Sequence, residues 1–391
     1  MRLAAELLFW ASVAAIVYHH ALYPPLLRLL ARRRPSRPAA AGPADLPHVT
    51  LVIPAYQEAR FIAQKVRDCA GLEYPRDRLT VIIACDGCTD GTAEAARAAH
   101  AEPLCRDLDL EVRAFPVNRG KVAVLNDVIA GLPDGLVGLT DVSASLSPDA
   151  LVRAAAHFAD PGVGVVAGTY RLRAAGSAGE DTYWRYQTRI KLDEASLGGP
   201  IGVHGAFYMF RRALWRPLEA DTINDDVILP TRILAGGARA VYDPAIVALE
   251  EERTARPQEF RRRVRIGSGN VQQALRLRAL ADPRRPGLAF IFLSGKALRA
   301  FVPFLMVVAL CANLVLAVTG PRFYLLLLAG QAGFYIVALA AMLRPDRMPR
   351  VARLAGYFVE GHAAGLWGGL RQMSGRDKGR WGRAHVTDMD T

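Results

Sequence analysis

Three long apolar segments constrain this chain most, because each is long enough to cross a lipid bilayer. One is LAAELLFWASVAAIVYHHALYPPLLRLL near the amino end, and the others are FVPFLMVVALCANLVLAV and FYLLLLAGQAGFYIVALAAML near the carboxyl end. A spanning helix needs about 20 predominantly apolar residues. The chain is 52% hydrophobic, which is more than in a typical soluble domain. The additional apolar residues lie in these segments. The sequence therefore predicts an anchor at 1–34, a linker at 35–47, a soluble body at 48–285 and membrane-associated helices at 286–391.

Basic residues beside these segments predict the orientation of the chain. The cluster ARRRPSR, residues 31–37, follows the first segment, and basic residues flank the other two, which the short turn TGPR joins. Because basic loops stay on the cytoplasmic side, we expect a multi-pass plasma-membrane protein with a cytoplasmic body. A fourth apolar stretch, LAGYFVEGHAAGLWGGL, contains Glu360, His362 and several glycines. It is short for a span and is expected to lie in the membrane interface, although the sequence leaves a crossing open.

The distribution of charge and the spacing of the cysteines argue against a nucleic-acid-binding protein and a zinc-binding protein. The formal net charge of +12 could neutralise nucleic-acid phosphates. Much of the positive charge lies beside the apolar segments, where anionic lipid accounts for it, so no nucleic-acid partner is expected. Cys85 and Cys88 form a C-x-x-C pair, but no second pair completes a zinc site.

The body alternates predicted strands and helices. The apolar runs HVTLVIPAY, VIIACDGCTDGT, LEVRAFPV and GLVGLTD predict strands, and helical patterns follow the first two and begin again near Lys121. This alternation predicts an α/β fold with a mostly parallel central sheet and helices on both faces. No G-x-G-x-x-G follows the first strand, which argues against an ordinary dinucleotide-binding domain.

Acidic residues follow three of the predicted strands. Glu58 follows the first, Asp86 the second, and Asp141 the fourth. The carboxyl ends of parallel strands meet at one edge, where open α/β sheets bind ligands. Converging carboxylates need a compensating cation, and a ligand with phosphates brings Mg²⁺ or Mn²⁺. The pattern favours chemistry on a nucleoside diphosphate.

The order of motifs resembles membrane-anchored glycosyltransferase family 2, the group of cellulose, hyaluronan and poly-N-acetylglucosamine synthases. The resemblance rests on VIPAYQE, DGCTDGT, NRGKVAVLN, TDVSASLSPDAL, GVHGAFYMFRR, INDDVILP and EFRRRVRIGSGN, in the family's order. It implies a GT-A-type nucleotide-sugar-binding domain.

The resemblance implies residues that bind the donor. Ala55, Tyr56 and Glu58 match the first part of the nucleotide pocket, and Asp86 matches the residue that reads the base. Lys121 matches a basic residue near the diphosphate, although it could also be a solvated lysine at a helix start.

The metal motif departs from the family's D-x-D pattern. Asp141 matches the first acid, whereas Ser143 replaces the second. A serine hydroxyl is a weaker ligand for a hard cation, so the resemblance implies Mg²⁺ or Mn²⁺ held by Asp141, donor phosphates and water. Alternatively, Ser143 and Ser145 only begin the helix at SPDAL.

The resemblance also implies an acceptor site. Asp226 in INDDV matches the general base that takes the proton of the acceptor hydroxyl, with Asp225 beside it as a second acid. His204 and Gly205 belong to the acceptor motif GVHGAF. Direct attack by that hydroxyl would invert the anomeric configuration. The two aspartates could instead only complement a helix dipole.

The motif Q-x-x-R-W of processive members is incomplete. Arg262, Arg265 and Ile266 occupy its Gln, Arg and Trp positions, so Arg265 remains to clamp the diphosphate. Arg262 is also placed at the donor site by this alignment. The missing Trp leaves open whether the product is a polymer or a single transfer.

We therefore expect an inverting hexosyltransferase that uses a UDP-sugar and Mg²⁺ or Mn²⁺. Its acceptor would be a glycan or a lipid-linked molecule in exopolysaccharide or cell-envelope synthesis. The sequence is also compatible with membrane lipids and a polysaccharide export protein as partners. The alternatives are a single-transfer enzyme for a polyprenyl or diacylglycerol lipid and a non-catalytic nucleotide-sugar-binding subunit of an export complex. A transporter would need more spans than the sequence contains.

Overall fold

The computed structural model describes residues 1–32, 46–172, 178–250 and 256–375, so most of the predicted linker lies outside the described residues. The described chain forms two compact units. One contains residues 28–250, and the other contains residues 1–27 together with 256–375.

The first unit contains an eight-stranded mixed sheet. Its strands are β1 (Val49–Ala55), β2 (Leu79–Asp86), β3 (Asp109–Phe115), β4 (Leu136–Leu139), β5 (Ala144–Leu146), β6 (Val163–Leu172), β7 (Tyr208–Arg211) and β8 (Arg239–Glu250). Their order is β3-β2-β1-β4-β7-β6-β8-β5. The first four strands of this order are parallel, whereas β7 runs antiparallel to β4 and β6, and β5 antiparallel to β8. The predicted α/β fold with a mostly parallel sheet is confirmed.

Helices connect these strands. They are α3 (Ala59–Ala70), α4 (Thr92–His100), α5 (Lys121–Ala130), α6 (Ala150–His157), α7 (Ala178–Ser196) and α8 (Asp225–Ala235). Every residue of β1 is buried, as expected for a central strand covered on both faces. On α3, the predicted apolar positions Ile62, Val66 and Cys69 are buried in the core.

The segment after Asp141 differs from the alternative interpretation, in which Ser143 and Ser145 only begin a helix. Ala144–Leu146 is instead a short strand, in which Ser145 pairs with Leu249 of β8, and the next helix begins at Ala150. The partner strand lies about a hundred residues further along the chain, so local sequence could not reveal the pairing.

The second unit is helical. It contains α1 (Arg2–Val17), a π-helical turn (Tyr18–Leu22), the start of α2 (Tyr23–Arg32), α9 (Arg256–Arg276), α10 (Pro286–Phe290), a second π-helical turn (Ile291–Ala297), α11 (Leu298–Thr319), α12 (Phe323–Leu343) and α13 (Arg350–Met373). Among the described residues, three continuous helical stretches are long and apolar enough to cross a membrane: Arg2–Arg32, Pro286–Thr319 and Phe323–Leu343. They coincide with the three predicted segments.

Glycines bring α9 and α13 into direct contact. A Cβ atom on Gly267 would lie 2.7 Å from the Cα of Gly365, and one on Gly368 would lie 2.1 Å from the carbonyl oxygen of Val264. The Arg263 guanidinium also donates to Glu360 Oε2 at 3.1 Å. Helix α9 therefore groups with the carboxyl-terminal helices, and the predicted end of the body at residue 285 stays a prediction.

Candidate functional site

The predicted donor-binding residues lie where parallel strands end. Ala55 is the last residue of β1, with Tyr56 and Glu58 directly after it, and Asp86 is the last residue of β2. Asp141 lies two residues beyond β4. Because β1, β2 and β4 are adjacent and parallel, these residues share one edge of the sheet, as predicted.

The loops after β1 and β2 are joined by hydrogen bonds. Gln57 Nε2 donates to Thr89 Oγ1 at 2.8 Å, and the Thr89 N–H donates to Gln57 Oε1 at 3.0 Å. Asp90 accepts the backbone N–H groups of Ala59 at 3.0 Å and Thr92 at 3.1 Å, at the starts of α3 and α4. Although partial burial opposes the shift, these hydrogen bonds and that of the Thr92 hydroxyl lower the pKa of Asp90. Asp90 thus ties the first residues of two helices, α3 and α4, to one carboxylate.

Asp86 holds the segment that precedes α5. Its carboxylate is fully buried and accepts the N–H groups of Arg119 at 2.9 Å and Gly120 at 2.8 Å. Gly120 has a φ of 93°, a conformation that suits glycine. Asp86 therefore fixes the position from which Lys121 extends, while its predicted contact with a nucleotide base stays a prediction.

Lys121 joins two of the predicted acidic residues. Its Nζ atom lies 3.1 Å from Asp141 Oδ1 and 3.3 Å from Asp225 Oδ2. Burial disfavours the ammonium, but Asp141, Asp225 and Asp226 outweigh it and raise the pKa of Lys121. The alternative of a solvated lysine is therefore wrong, because this side chain is largely enclosed and ion-paired.

Gly205 lies between two carboxylates. A Cβ atom at this position would be 3.3 Å from Asp141 Oδ2 and 3.6 Å from Asp226 Oδ2. The backbone N–H of Val203 donates to the carbonyl oxygen of Asp226 at 3.0 Å, which ties the predicted acceptor segment to α8. The absence of a side chain at residue 205 thus leaves a small space between Asp141 and Asp226.

A cavity lies beside the acceptor segment. The His204 ring stacks on Tyr170, with ring centres 3.8 Å apart and planes 15° from parallel. Both rings, with Thr188, Lys191 and Tyr242, help to line a cavity of about 80 Å³. Its aromatic faces and polar side chains suit a ligand with both apolar and hydroxyl groups.

Helix α8 adds a favourable potential at the acids. Asp225 and Asp226 occupy its first turn, where the positive end of the helix dipole stabilises carboxylates. The dipole interpretation from the sequence is therefore compatible with the structure, but Asp225 also pairs with Lys121. Buried Tyr208 of β7 lies near the same acids, and burial together with Asp225, Asp226 and Asp141 raises its pKa.

The carboxylates suit a divalent cation that binds together with a phosphate ligand. One ammonium cannot neutralise three carboxylates, and the oxygens of Asp141 and Asp226 approach each other across Gly205. Within the described ranges, no group of three or more His, Cys, Asp or Glu residues has the geometry of a metal site. Mg²⁺ and Mn²⁺ accept few protein ligands when phosphates and water complete the shell, so these residues fit such an ion. Ser143 lines a separate small cavity, and its ligand role stays a prediction.

Two predicted donor-binding residues belong to the other compact unit. Arg262 and Arg265 both lie on α9, and both side chains are exposed. Their roles at the diphosphate stay predictions.

Sequence reasoning missed a buried lysine at this edge. Lys65 of α3 is 1% exposed and contacts the segment that carries Asp141. The signal was available, because Lys65 falls between Ile62 and Val66 on the apolar face of α3.

The sheet order and its carboxylate-bearing edge are those of a GT-A-type domain. A family model described as "Glycosyltransferase like family 2" matches residues 47–269, and the chain belongs to this family of glycosyltransferases. The fold is similar to that of a mannosyltransferase from Pyrobaculum calidifontis, solved in complex with GDP-Man and Mn²⁺. The TM-score is 0.71 at 25% identity, over 94% of this chain and 99% of that one.

Curated relatives match parts of the chain. The beta-monoglucosyldiacylglycerol synthase of Synechocystis is 31% identical over 126 residues, which are 32% of this chain and 26% of that protein. The probable glycosyltransferase YdaM of Bacillus subtilis is 24% identical over 247 residues, 60% of this chain and 58% of that protein. The chain thus spans between about a quarter and three fifths of the length of these relatives. The three membrane-length helices indicate that the protein is associated with membranes.

Proposed function

We propose that this protein transfers a single sugar, with inversion, from a nucleoside-diphosphate sugar to a lipid-linked acceptor at the cytoplasmic face of the membrane. The observation that carries the proposal is the position of Lys121 between Asp141 and Asp225, with Asp226 across Gly205. This arrangement combines a cation for a diphosphate with a carboxylate for an acceptor hydroxyl.

On the donor side, Lys121 binds the diphosphate directly, whereas Asp141 would act through the divalent ion. The Lys121 ammonium can exchange its contact with Asp141 for phosphate oxygens, because carboxylate and phosphate are both anionic acceptors of N–H donors. Asp141 would hold the divalent ion, with Asp226 close by. When bound, Mg²⁺ or Mn²⁺ would neutralise negative charge that develops on the leaving diphosphate.

On the acceptor side, Asp226 is the general base. Its carboxylate takes the proton of the acceptor hydroxyl while that oxygen forms a bond to the anomeric carbon. The bond from the anomeric carbon to the diphosphate oxygen breaks at the same time, and the nucleoside diphosphate leaves with the electron pair. Attack and departure on opposite faces invert the configuration. Asp225 remains paired with Lys121 and keeps the base oriented.

Four observations favour a lipid-linked acceptor and one transfer. The described residues include three membrane-length helices, and relatives include a synthase named for glucosyldiacylglycerol. Ile266 occupies the position of the aromatic residue found in processive members. The cavity beside His204 has the stacked aromatic surface that suits an acceptor head group. A non-catalytic subunit is disfavoured, because the acids and Lys121 form a connected cluster.

The test is transfer by the purified full-length protein in detergent. UDP-glucose, UDP-galactose, UDP-N-acetylglucosamine and GDP-mannose are each supplied with Mg²⁺ or Mn²⁺ and with diacylglycerol or polyprenyl phosphate. Release of UDP or GDP is measured, and lipid products are sized by mass spectrometry. We expect one donor to yield a lipid that carries one sugar. A long polymer would contradict single transfer, and nucleotide binding without transfer to any acceptor would favour a binding subunit.

A further inference from the structure

Lys65 is a lysine on the core-facing side of α3. Ile62, Val66 and Cys69 form the apolar face of this helix, and Lys65 lies on that face with 1% of its surface exposed. Burial lowers the pKa of its amino group. Because burying a polar amino group is costly unless it is hydrogen-bonded, the contacts of Lys65 indicate why it is present.

Both of its hydrogen-bond partners flank Asp141. Lys65 Nζ donates to Thr140 Oγ1 at 2.9 Å and also to the carbonyl oxygen of Ala144. These two residues bound the three-residue segment 141–143, which contains the predicted metal ligands. Lys65 therefore fastens the segment at both ends.

The contact continues to the acceptor segment. Thr140 accepts from Lys65 and donates its hydroxyl proton to the carbonyl oxygen of Ala206 at 2.7 Å. Ala206 directly follows Gly205, the residue between the carboxylates of Asp141 and Asp226. One buried chain of hydrogen bonds thus links α3, the Asp141 segment and the acceptor segment.

Lys65 also lies beside the residue that replaces the second acid of the metal motif. Ser143, Ser145 and Asp68 line a cavity of about 10 Å³ together with Lys65. Lys65 forms no ion pair with any carboxylate among the described residues. Its amino group is therefore directed to the backbone and hydroxyl oxygens of this segment rather than to a salt bridge.

We propose that Lys65 is a positioning residue that holds the 140–144 segment so that Asp141 and Asp226 keep the separation needed by the divalent ion and the donor diphosphate. This inference rests on the proposed function. Residues that orient metal ligands through hydrogen bonds typically change metal affinity 10- to 100-fold when they are mutated.

The experiment compares Lys65→Met and Thr140→Val with Val66→Ala in the full-length protein. The Kd of Mn²⁺ is measured by electron paramagnetic resonance with UDP or GDP present, and Tm is measured without metal. We expect Lys65→Met to raise the Mn²⁺ Kd about tenfold or more, and Thr140→Val to raise it less. The double variant should show less than the product of the two effects, because both residues act in one chain.

Val66→Ala is the matched control, because it shortens a buried neighbour on the same helix face whose side chain has no hydrogen-bonding group. It should lower Tm and leave the Mn²⁺ Kd unchanged. The same result for Lys65→Met would overturn the proposal and leave only a structural role. If Lys65→Met does not fold, an unchanged Mn²⁺ Kd in Thr140→Val has the same meaning. A wild-type protein without Mn²⁺-dependent nucleotide binding would overturn the proposed function itself, and the role of Lys65 with it.

Discussion

Single residues determine the charge of the candidate site. Lys121 is paired with Asp141 and Asp225, whereas Asp226 approaches the site across Gly205. The donor-binding charges and the predicted base can therefore be separated by mutation.

Asp226→Asn should separate binding from transfer. The amide keeps the shape of the side chain but cannot take a proton, so we expect kcat to fall by about 10²- to 10⁴-fold. The affinity for UDP or GDP should change less than about threefold, because the ion pairs of Lys121 with Asp141 and Asp225 remain. Calorimetric titration and turnover on the same samples measure both. A large loss of nucleotide affinity would assign Asp226 to the donor side or to folding.

Gly205→Ala tests the space between the carboxylates. The new Cβ would lie 3.3 Å from Asp141 Oδ2, so one of these atoms must shift by a few tenths of an ångström. We expect kcat/KM to fall about tenfold or more, which corresponds to about 1.4 kcal/mol, with little change in Tm.

Gly131→Ala is the control, because a Cβ there would meet its nearest heavy atom at 3.8 Å. It should retain wild-type kcat/KM. Equal activity of Gly205→Ala and the control would show that this space is not used in the reaction.

Residue types and strand ends predicted much of this site, but its ion pairs could not be predicted. Asp86 and Asp141 were found because parallel strands place their carboxyl ends together. The pairing of Lys121 with Asp225 depends on how α5 and α8 approach each other, and no local pattern encodes that approach. Lys65 was missed because lysine is rarely buried, although the period of α3 placed it inside.

At the scale of elements, the contact between α9 and α13 has little room for side chains. A Cβ on Gly368 would overlap the Val264 carbonyl, so Gly368→Ala forces the two helix backbones apart. We expect a loss of about 1–3 kcal/mol of stability, visible as a lower apparent Tm in detergent.

Gly361→Ala provides a control within the same helix, because a Cβ there meets nothing within 4 Å. It should leave Tm unchanged or raise it slightly, since alanine favours helix by about 0.5–1 kcal/mol over glycine. If both variants unfold at the wild-type temperature, the close packing of α9 on α13 is not important for stability.

Elements with local signals were predicted well, and those that depend on distant partners were not. Helix α5 begins at Lys121 and strand β3 lies within LEVRAFPV and its flank, as the patterns indicated. Strand β5 has three residues and exists through its pairing with β8, so it carries no periodicity of its own. The last apolar stretch was predicted to lie in the interface because it is short, and its glycines gave no sign of the partner helix α9 that they closely approach.

At the scale of the whole molecule, the basic flanks predict which side of the membrane each segment faces. Basic residues 31–37 and those on both sides of the carboxyl-terminal helical pair favour the cytoplasm. With three crossings, the amino terminus and the turn at Gly320 should face outside, and residue 375 should face the cytoplasm.

Reporter insertions before residue 1, after residue 320 and after residue 375 test this topology. Two reporters are inserted at each site, one active only outside the membrane and the other only in the cytoplasm. The reporter that is active identifies the side on which the site lies. We expect the first two sites to lie outside and the third to lie in the cytoplasm, because α11 and α12 then form a hairpin with both basic flanks inside. A cytoplasmic reading at residue 320 would remove the hairpin. An outside reading at residue 375 alone would mean that α13 also crosses the membrane, although its composition does not meet the requirement for a span.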